Sequence, residues 1–173
     1  GIGRTFQIPR PFAAMTVLEN VMLARPRQTG ERLWGSWLHP TRVAAEERDA
    51  REAALGWLAF MGLEGHALAA ARTLSGGQRK LLDLARVMML EPRLVLLDEP
   101  GAGVNPALLE LIVAKLAALN AEGVTFLVIE HNMDLVTRLC RPVLAMAQGR
   151  LVMQGTAEEV RADRRVIEAY LGG

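Results

Sequence analysis

From residue 93 onward the chain alternates short apolar runs with helical patterns, and this alternation restricts the fold more than any other feature. Leu94-Val-Leu-Leu97 and Val124-Thr-Phe-Leu-Val-Ile129 lack the polar–apolar alternation of a half-exposed strand, so they predict strands buried on both faces. The pattern predicts strands over 93–97, 124–129, 142–147 and 150–154, helices over 79–90, 106–121 and 132–139, and a short helical tail. Gln148-Gly149 reads as a hairpin turn between the last two strands. Strands that alternate with helices imply an α/β fold with a largely parallel sheet covered by helices.

The first part of the chain has a different rhythm. Gly1 to Gln7 fits the tail of a strand, and Thr16-Val-Leu-Glu19 is a capping box that opens an apolar stretch through Leu23. Residues 25–42 are rich in Arg, Pro and Gly and carry Trp34 and Trp37, which suit either core cover or a partner-facing patch. A long helix fits 43–61, with Ala50, Ala54, Trp57, Leu58 and Met61 on one face, and Gly62 and Gly65 end it. Residues 9–73 therefore read as a helical subdomain and 79–173 as an α/β core, within a single domain spanning 1–173.

Composition narrows the classes of function. The 173 residues carry 20 basic and 19 acidic side chains, and the resulting net charge of +1 gives no electrostatic case for nucleic acid as a partner. No apolar run approaches the ~18 residues of a membrane span. Arg4, Pro9 and Arg10 interrupt any signal-peptide pattern. The lone cysteine, Cys140, reads as a small buried hydrophobe in a reducing compartment.

Two motifs carry chemistry. Leu74-Ser75-Gly76-Gly77-Gln78 is a glycine turn opening a helix, where unpaired backbone N–H groups face an anion and Ser75-x-x-Gln78 is also a capping box. Downstream, the apolar run from Leu94 ends in Asp98 and Glu99, with Pro100 halting the strand. An acid at a strand's C-terminal edge can hold Mg²⁺, and Glu99, expected on the opposite face of the exit, can reach an attacking water. His131 stands at the next strand exit, where a neutral imidazole can donate to a γ-phosphate oxygen or orient water. Gln7 ends the first strand segment, where its carbonyl can ligate Mg²⁺ or position water. His39 and His66 read as ordinary loop residues, and Asn105-Pro106 as a turn and helix start.

Together these stretches resemble the motifs of ATP-binding cassette (ABC) ATPases, which have a P-loop NTPase-like core and an α-helical subdomain. Arg4-Thr-Phe-Gln7 is similar to the Q-loop, Leu74 to Gln78 to the signature, Leu94 to Glu99 to Walker B, Gly103-Val-Asn105-Pro to the D-loop, and His131 to the switch histidine. Asn105 replaces the Asp of many cassettes. Met15-Thr-Val-Leu-Glu-Asn-Val, Ile129-Glu-His-Asn-Met-Asp-Leu-Val136 and Val166-Ile-Glu-Ala-Tyr-Leu-Gly resemble the ATPase subunits of branched-chain amino-acid importers.

The resemblance implies ATP and Mg²⁺ as cofactors, with Gln7 and Asp98 serving the metal and Glu99 and His131 the hydrolysis. Ser75, Gly76, Gly77 and Gln78 would grip the nucleotide of a second ATPase subunit in a head-to-tail dimer. Transmembrane permease subunits would be partners, with a substrate-binding protein contacted indirectly, at the cytoplasmic face of the membrane. No G-x-x-x-x-G-K-[ST] phosphate loop occurs in the 173 residues, and the first residue is Gly1. The expectation is an N-terminally truncated cassette that is inactive alone and hydrolyses ATP in its full-length form. Two alternatives stay open: a ribosome- or nucleic-acid-associated ABC ATPase, and a non-catalytic fragment without the phosphate loop.

Overall fold

The computed structural model describes residues 1–5, 10–26, 28, 29, 37 and 40–171. Three parallel strands, β1 (Ile2–Arg4), β2 (Leu94–Asp98) and β3 (Thr125–Ile129), form a sheet in the order β1-β2-β3. Ile2 pairs with Leu94, Leu96 with Leu127, and Asp98 with Ile129. Two further strands, β4 (Val143–Ala147) and β5 (Arg150–Gly155), form a separate antiparallel hairpin. Gln148 and Gly149 both take positive φ, 49° and 74°, the backbone that a two-residue hairpin turn demands.

The helices are α1 (Val17–Met22), α2 (Pro40–Met61), α3 (Gly76–Met88), α4 (Pro106–Ala121), α5 (Met133–Leu139), α6 (Ala157–Ala162) and α7 (Arg164–Leu171). Their starts follow local chemistry. Thr16 and Ser75 close capping boxes with Glu19 and Gln78, and Asn105 caps α4 with Pro106 in its first turn. Helix α2 begins three residues earlier than the pattern suggested and α3 includes its glycines, because Pro40 suits a first helical turn and the cap lies at Ser75. Gly62 ends α2 in the left-handed conformation, but Gly65 lies inside a following 3₁₀ turn, Glu64–His66.

One hydrophobic cluster joins α1 (Val17, Leu18, Val21), α2 (Ala54, Leu58, Met61), α3 (Leu81 to Met88), α4 (Ile112, Leu116, Leu119) and one face of β2 (Val95, Leu97). Phe126 and Val128 of β3 pack against it from the same face. Lys115 of α4 stands over the Phe60 ring of α2 at 4.6 Å, and Trp57 meets Phe60 edge-on. Buried Asn20 accepts from the Phe12 N–H at 2.8 Å and donates to the carbonyls of Phe12 and Thr16, so the loop before α1 is pinned through a side chain with no exposed surface.

The opposite face of the sheet departs from expectation. Leu127 is 51% exposed and Ile129 62% exposed, so β3 is not buried on both faces among the described residues. Helices α1 to α4 lie in the two connections β1–β2 and β2–β3 and pack on the Val95 and Leu97 face. Ile2 is exposed beside them on the open face. Cys140 is half-buried, which raises its thiol pKa, rather than fully enclosed.

Candidate functional site

The exits of β2 and β3 converge on one place, which the second turn of α3 reaches through Lys80. Asp98 is the last residue of β2 and lies on the open sheet face, in register with Ile129. Glu99 then leaves the strand with φ +46°, a left-handed backbone that non-glycine residues rarely adopt. The turn, not strand alternation, therefore sets where the Glu99 carboxylate goes. Its N–H donates to the Ile129 carbonyl at 2.9 Å, which ties the two strand exits together. The Glu99 Oε1 comes within 3.7 Å of His131 Nδ1, with the imidazole largely exposed.

A second carboxylate holds the loops around this pair. Glu130 Oε1 accepts from the Gly101 N–H at 2.7 Å, while its Oε2 accepts from the N–H groups of His131 and Asn132 at 3.1 and 3.2 Å. The side chain thus joins the loop after β2 to the loop after β3. Gly101 leaves room for that contact: a Cβ there would lie 3.0 Å from Glu130 Oε1 and 3.2 Å from Leu135 Cδ1, and both side chains would have to give way by a few tenths of an ångström. Asn132 caps α5 by accepting from the N–H groups of Asp134 and Leu135, which fixes where His131 stands.

Helix α3 opens beside these loops. Ser75 Oγ accepts from the Gln78 N–H and Gln78 Oε1 accepts from the Ser75 N–H, leaving the N–H groups of Gly76 and Gly77 without an intrahelical acceptor. Ser75 and Gly76 are exposed, whereas Gly77 is packed against Leu108 of α4. Gln78 Nε2 lies 3.2 Å from His66 Nε2, so its amide is held by both the cap and an imidazole. One turn further along α3, Lys80 Nζ donates to the carbonyls of Glu99 at 2.8 Å and Pro100 at 3.2 Å. Burial pushes the Lys80 ammonium below its ordinary pKa, and the charges of Glu130 and Glu99 pull it partly back.

The structure therefore gathers Asp98, Glu99 and His131 at adjacent strand exits and links Ser75 to Gln78 to them through α3. Gln7, Trp34 and His39 lie outside the described residues. Three neighbours of the site were not singled out as functional from sequence: Lys80, Glu130 and His66. Lys80 and Glu130 act across 19 and 29 residues of chain, and no local pattern signals such contacts. His66 reads as an ordinary loop histidine until the fold sets it on Gln78.

Among the described residues no cluster of three or more His, Cys, Asp or Glu could hold a metal ion by itself. The donor set still fits Mg²⁺, which keeps several waters and takes one or two carboxylates together with substrate phosphates. Asp98 offers such a carboxylate at the sheet edge. No helix among the described residues is long and apolar enough to cross a membrane.

Comparison with known proteins identifies the family. Residues 1–102 match the ABC transporter family model, and residues 150–173 match a model described as branched-chain amino acid ATP-binding cassette transporter. A probable branched-chain amino acid transport ATP-binding protein, LivG, of Archaeoglobus fulgidus is 41% identical, over 99% of this chain and 66% of its own length. The high-affinity branched-chain amino acid transport ATP-binding protein BraF of Pseudomonas aeruginosa is 39% identical, over 99% of this chain and 68% of its own. The chain thus spans about two thirds of the length of these curated relatives. Among solved structures, the ADP conformation of an ATP-binding cassette of an ABC transporter superposes with a TM-score of 0.80 at 36% identity, covering 100% of this chain and 69% of that one. With these matches over nearly its whole length, the chain belongs to the ABC transporter family of ATP-binding cassettes.

Proposed function

We propose that this chain serves as the ATP-binding and ATP-hydrolysing subunit of an importer for branched-chain or related amino acids. The observation that carries the reading is the left-handed turn at Glu99, which sets its carboxylate 3.7 Å from His131 at the exits of two parallel strands. Glu99 orients the attacking water and accepts its proton, while the His131 imidazole donates to a γ-phosphate oxygen. Asp98, with Gln7, would hold Mg²⁺, which when bound neutralises charge on the β- and γ-phosphates.

The Gly76 and Gly77 N–H groups, at the positive end of a 13-residue helix, grip the phosphates of a nucleotide bound by a second subunit arranged head-to-tail. In this reading residues 9–73 form the helical subdomain, the signature lies at 74–78 and residues 79–173 form the core. Permease subunits would contact the surface that includes Phe12 and Trp37. Phe12 is half-exposed and Trp37 is 79% exposed, which suits an interface anchor. The subunit would sit peripherally at the cytoplasmic face of the membrane.

The test is reconstitution of the native gene product that carries this chain with its permease subunits in liposomes. Leucine, isoleucine or valine, presented with a substrate-binding protein, should stimulate ATP hydrolysis and be taken up. ATPase activity that ignores all three would contradict the assignment to branched-chain amino acids, and no ATPase activity at all would contradict the hydrolytic reading.

A further inference from the structure

We propose that Lys80 is a positioning residue for the hydrolytic step: it fixes the Glu99 turn from the signature helix, and so ties the grip on one nucleotide to the chemistry at the other. The inference rests on the reading of Glu99 as the hydrolytic carboxylate. Its geometry is independent of that reading. Lys80 lies one helical turn beyond Gly76, and its ammonium reaches out of α3 to the consecutive carbonyls of Glu99 and Pro100. The Glu99 carbonyl also accepts from the Ala102 N–H at 3.1 Å, and the Glu99 N–H is spent on Ile129.

The backbone around the carboxylate is therefore held by Lys80 of α3, by the Ile129 carbonyl of β3 and, within the turn itself, by the Ala102 N–H. Of these, Lys80 alone belongs to the helix whose first turn carries Gly76 and Gly77. A left-handed non-glycine residue persists only when its surroundings over-determine it. Lys80 supplies part of that constraint. It also makes the constraint depend on where α3 stands, since a helix moves as a rigid element.

In a head-to-tail dimer the signature turn meets the nucleotide of one site, whereas Glu99 serves the other. A shift of α3 on gripping a phosphate would reach the Glu99 turn through the Lys80 ammonium. The half-buried surroundings strengthen the link, because the carbonyls there have little water to turn to.

The test compares Lys80→Met, Lys80→Gln and Lys80→Arg with the parent in the native gene product, measuring kcat, MgATP affinity and thermal midpoint. Lys80→Met should lower kcat by about 10- to 100-fold, the scale of a misplaced reacting group. MgATP affinity should stay within about threefold of the parent, as for an interaction expressed in the transition state. Lys80→Arg, which keeps a charged donor able to reach both carbonyls, should recover most of the rate. Should Lys80→Met fail to fold, Lys80→Gln reads the same loss.

The proposal is overturned if kcat is within twofold of the parent in the folded uncharged variant, if the loss lies in affinity with kcat unchanged, or if Lys80→Arg is as impaired as Lys80→Met. Glu99→Gln measured alongside separates the two claims. If it turns over normally, the hydrolytic reading of Glu99 fails. If it is inactive while Lys80→Met is normal, only the role of Lys80 fails.

Discussion

The two faces of one parallel sheet are covered unequally among the described residues. In β2, Val95 is fully buried and Leu97 is 3% exposed beneath helices from both connections. In β3, Leu127 and Ile129 face outward on the other side of the same sheet, more than half exposed. Leu144, Met146 and Leu151 of the hairpin are exposed apolar residues as well. Val95 and Leu97, with Phe126 and Val128, face the helices of the two connections, and Leu127 and Ile129 face away from them. The site straddles the division: Lys80 and Gly77 belong to the covered side, whereas Asp98 is in register with Ile129 on the open one.

The largest expected effect sharpens that contrast directly. Leu97→Ala should cost about 2–5 kcal/mol, since it deletes methyl groups from a packed core. Leu127→Ala, at a half-exposed position, should stay below about 1 kcal/mol. Urea denaturation of both variants checks this. Comparable losses would show that the Leu127 face is covered in solution.

A smaller effect probes the seam between the two sides. Gly101→Ala should destabilise by about 1–3 kcal/mol, because the added methyl meets Glu130, Leu135 and Leu109 at 3.0 to 3.3 Å. It should also displace Glu130 from the His131 and Asn132 N–H groups, lowering turnover more than MgATP affinity. Ordinary stability together with ordinary kcat would show that the Glu130 bridge does not organise the loops.

Much of this arrangement is legible in the sequence, and the rest is not for identifiable reasons. Helix starts are written locally, so Thr16, Ser75 and Asn105 reveal α1, α3 and α4 by the chemistry of their caps. The hairpin is likewise announced by Gln148-Gly149. The apolar run of β3 shows that this strand favours burial but carries no information on which face a helix will reach. The left-handed backbone at Glu99 is invisible as well, since its supports, Lys80 and Ile129, come from other elements. The motif spells the carboxylate; the long-range contacts aim it.

A modest stability effect belongs to the cap of α3. Ser75→Ala should lose about 1 kcal/mol, typical of an N-cap deletion. If the Gly76 and Gly77 N–H groups grip phosphate, the variant should also weaken ATP-dependent dimerisation, measured by analytical ultracentrifugation. Unchanged dimerisation would remove the signature turn from the nucleotide grip.

The most direct test of the account is Glu99→Gln in the native gene product, with single-turnover hydrolysis and MgATP binding measured on the same sample. The amide keeps the size of the side chain and loses the charge that polarises water. Hydrolysis should fall by about 10²- to 10⁴-fold, the usual contribution of a general base. MgATP binding should persist, and the ATP-bound dimer should accumulate. Turnover within twofold of the parent would mean that the carboxylate beside His131 is not the group that drives hydrolysis.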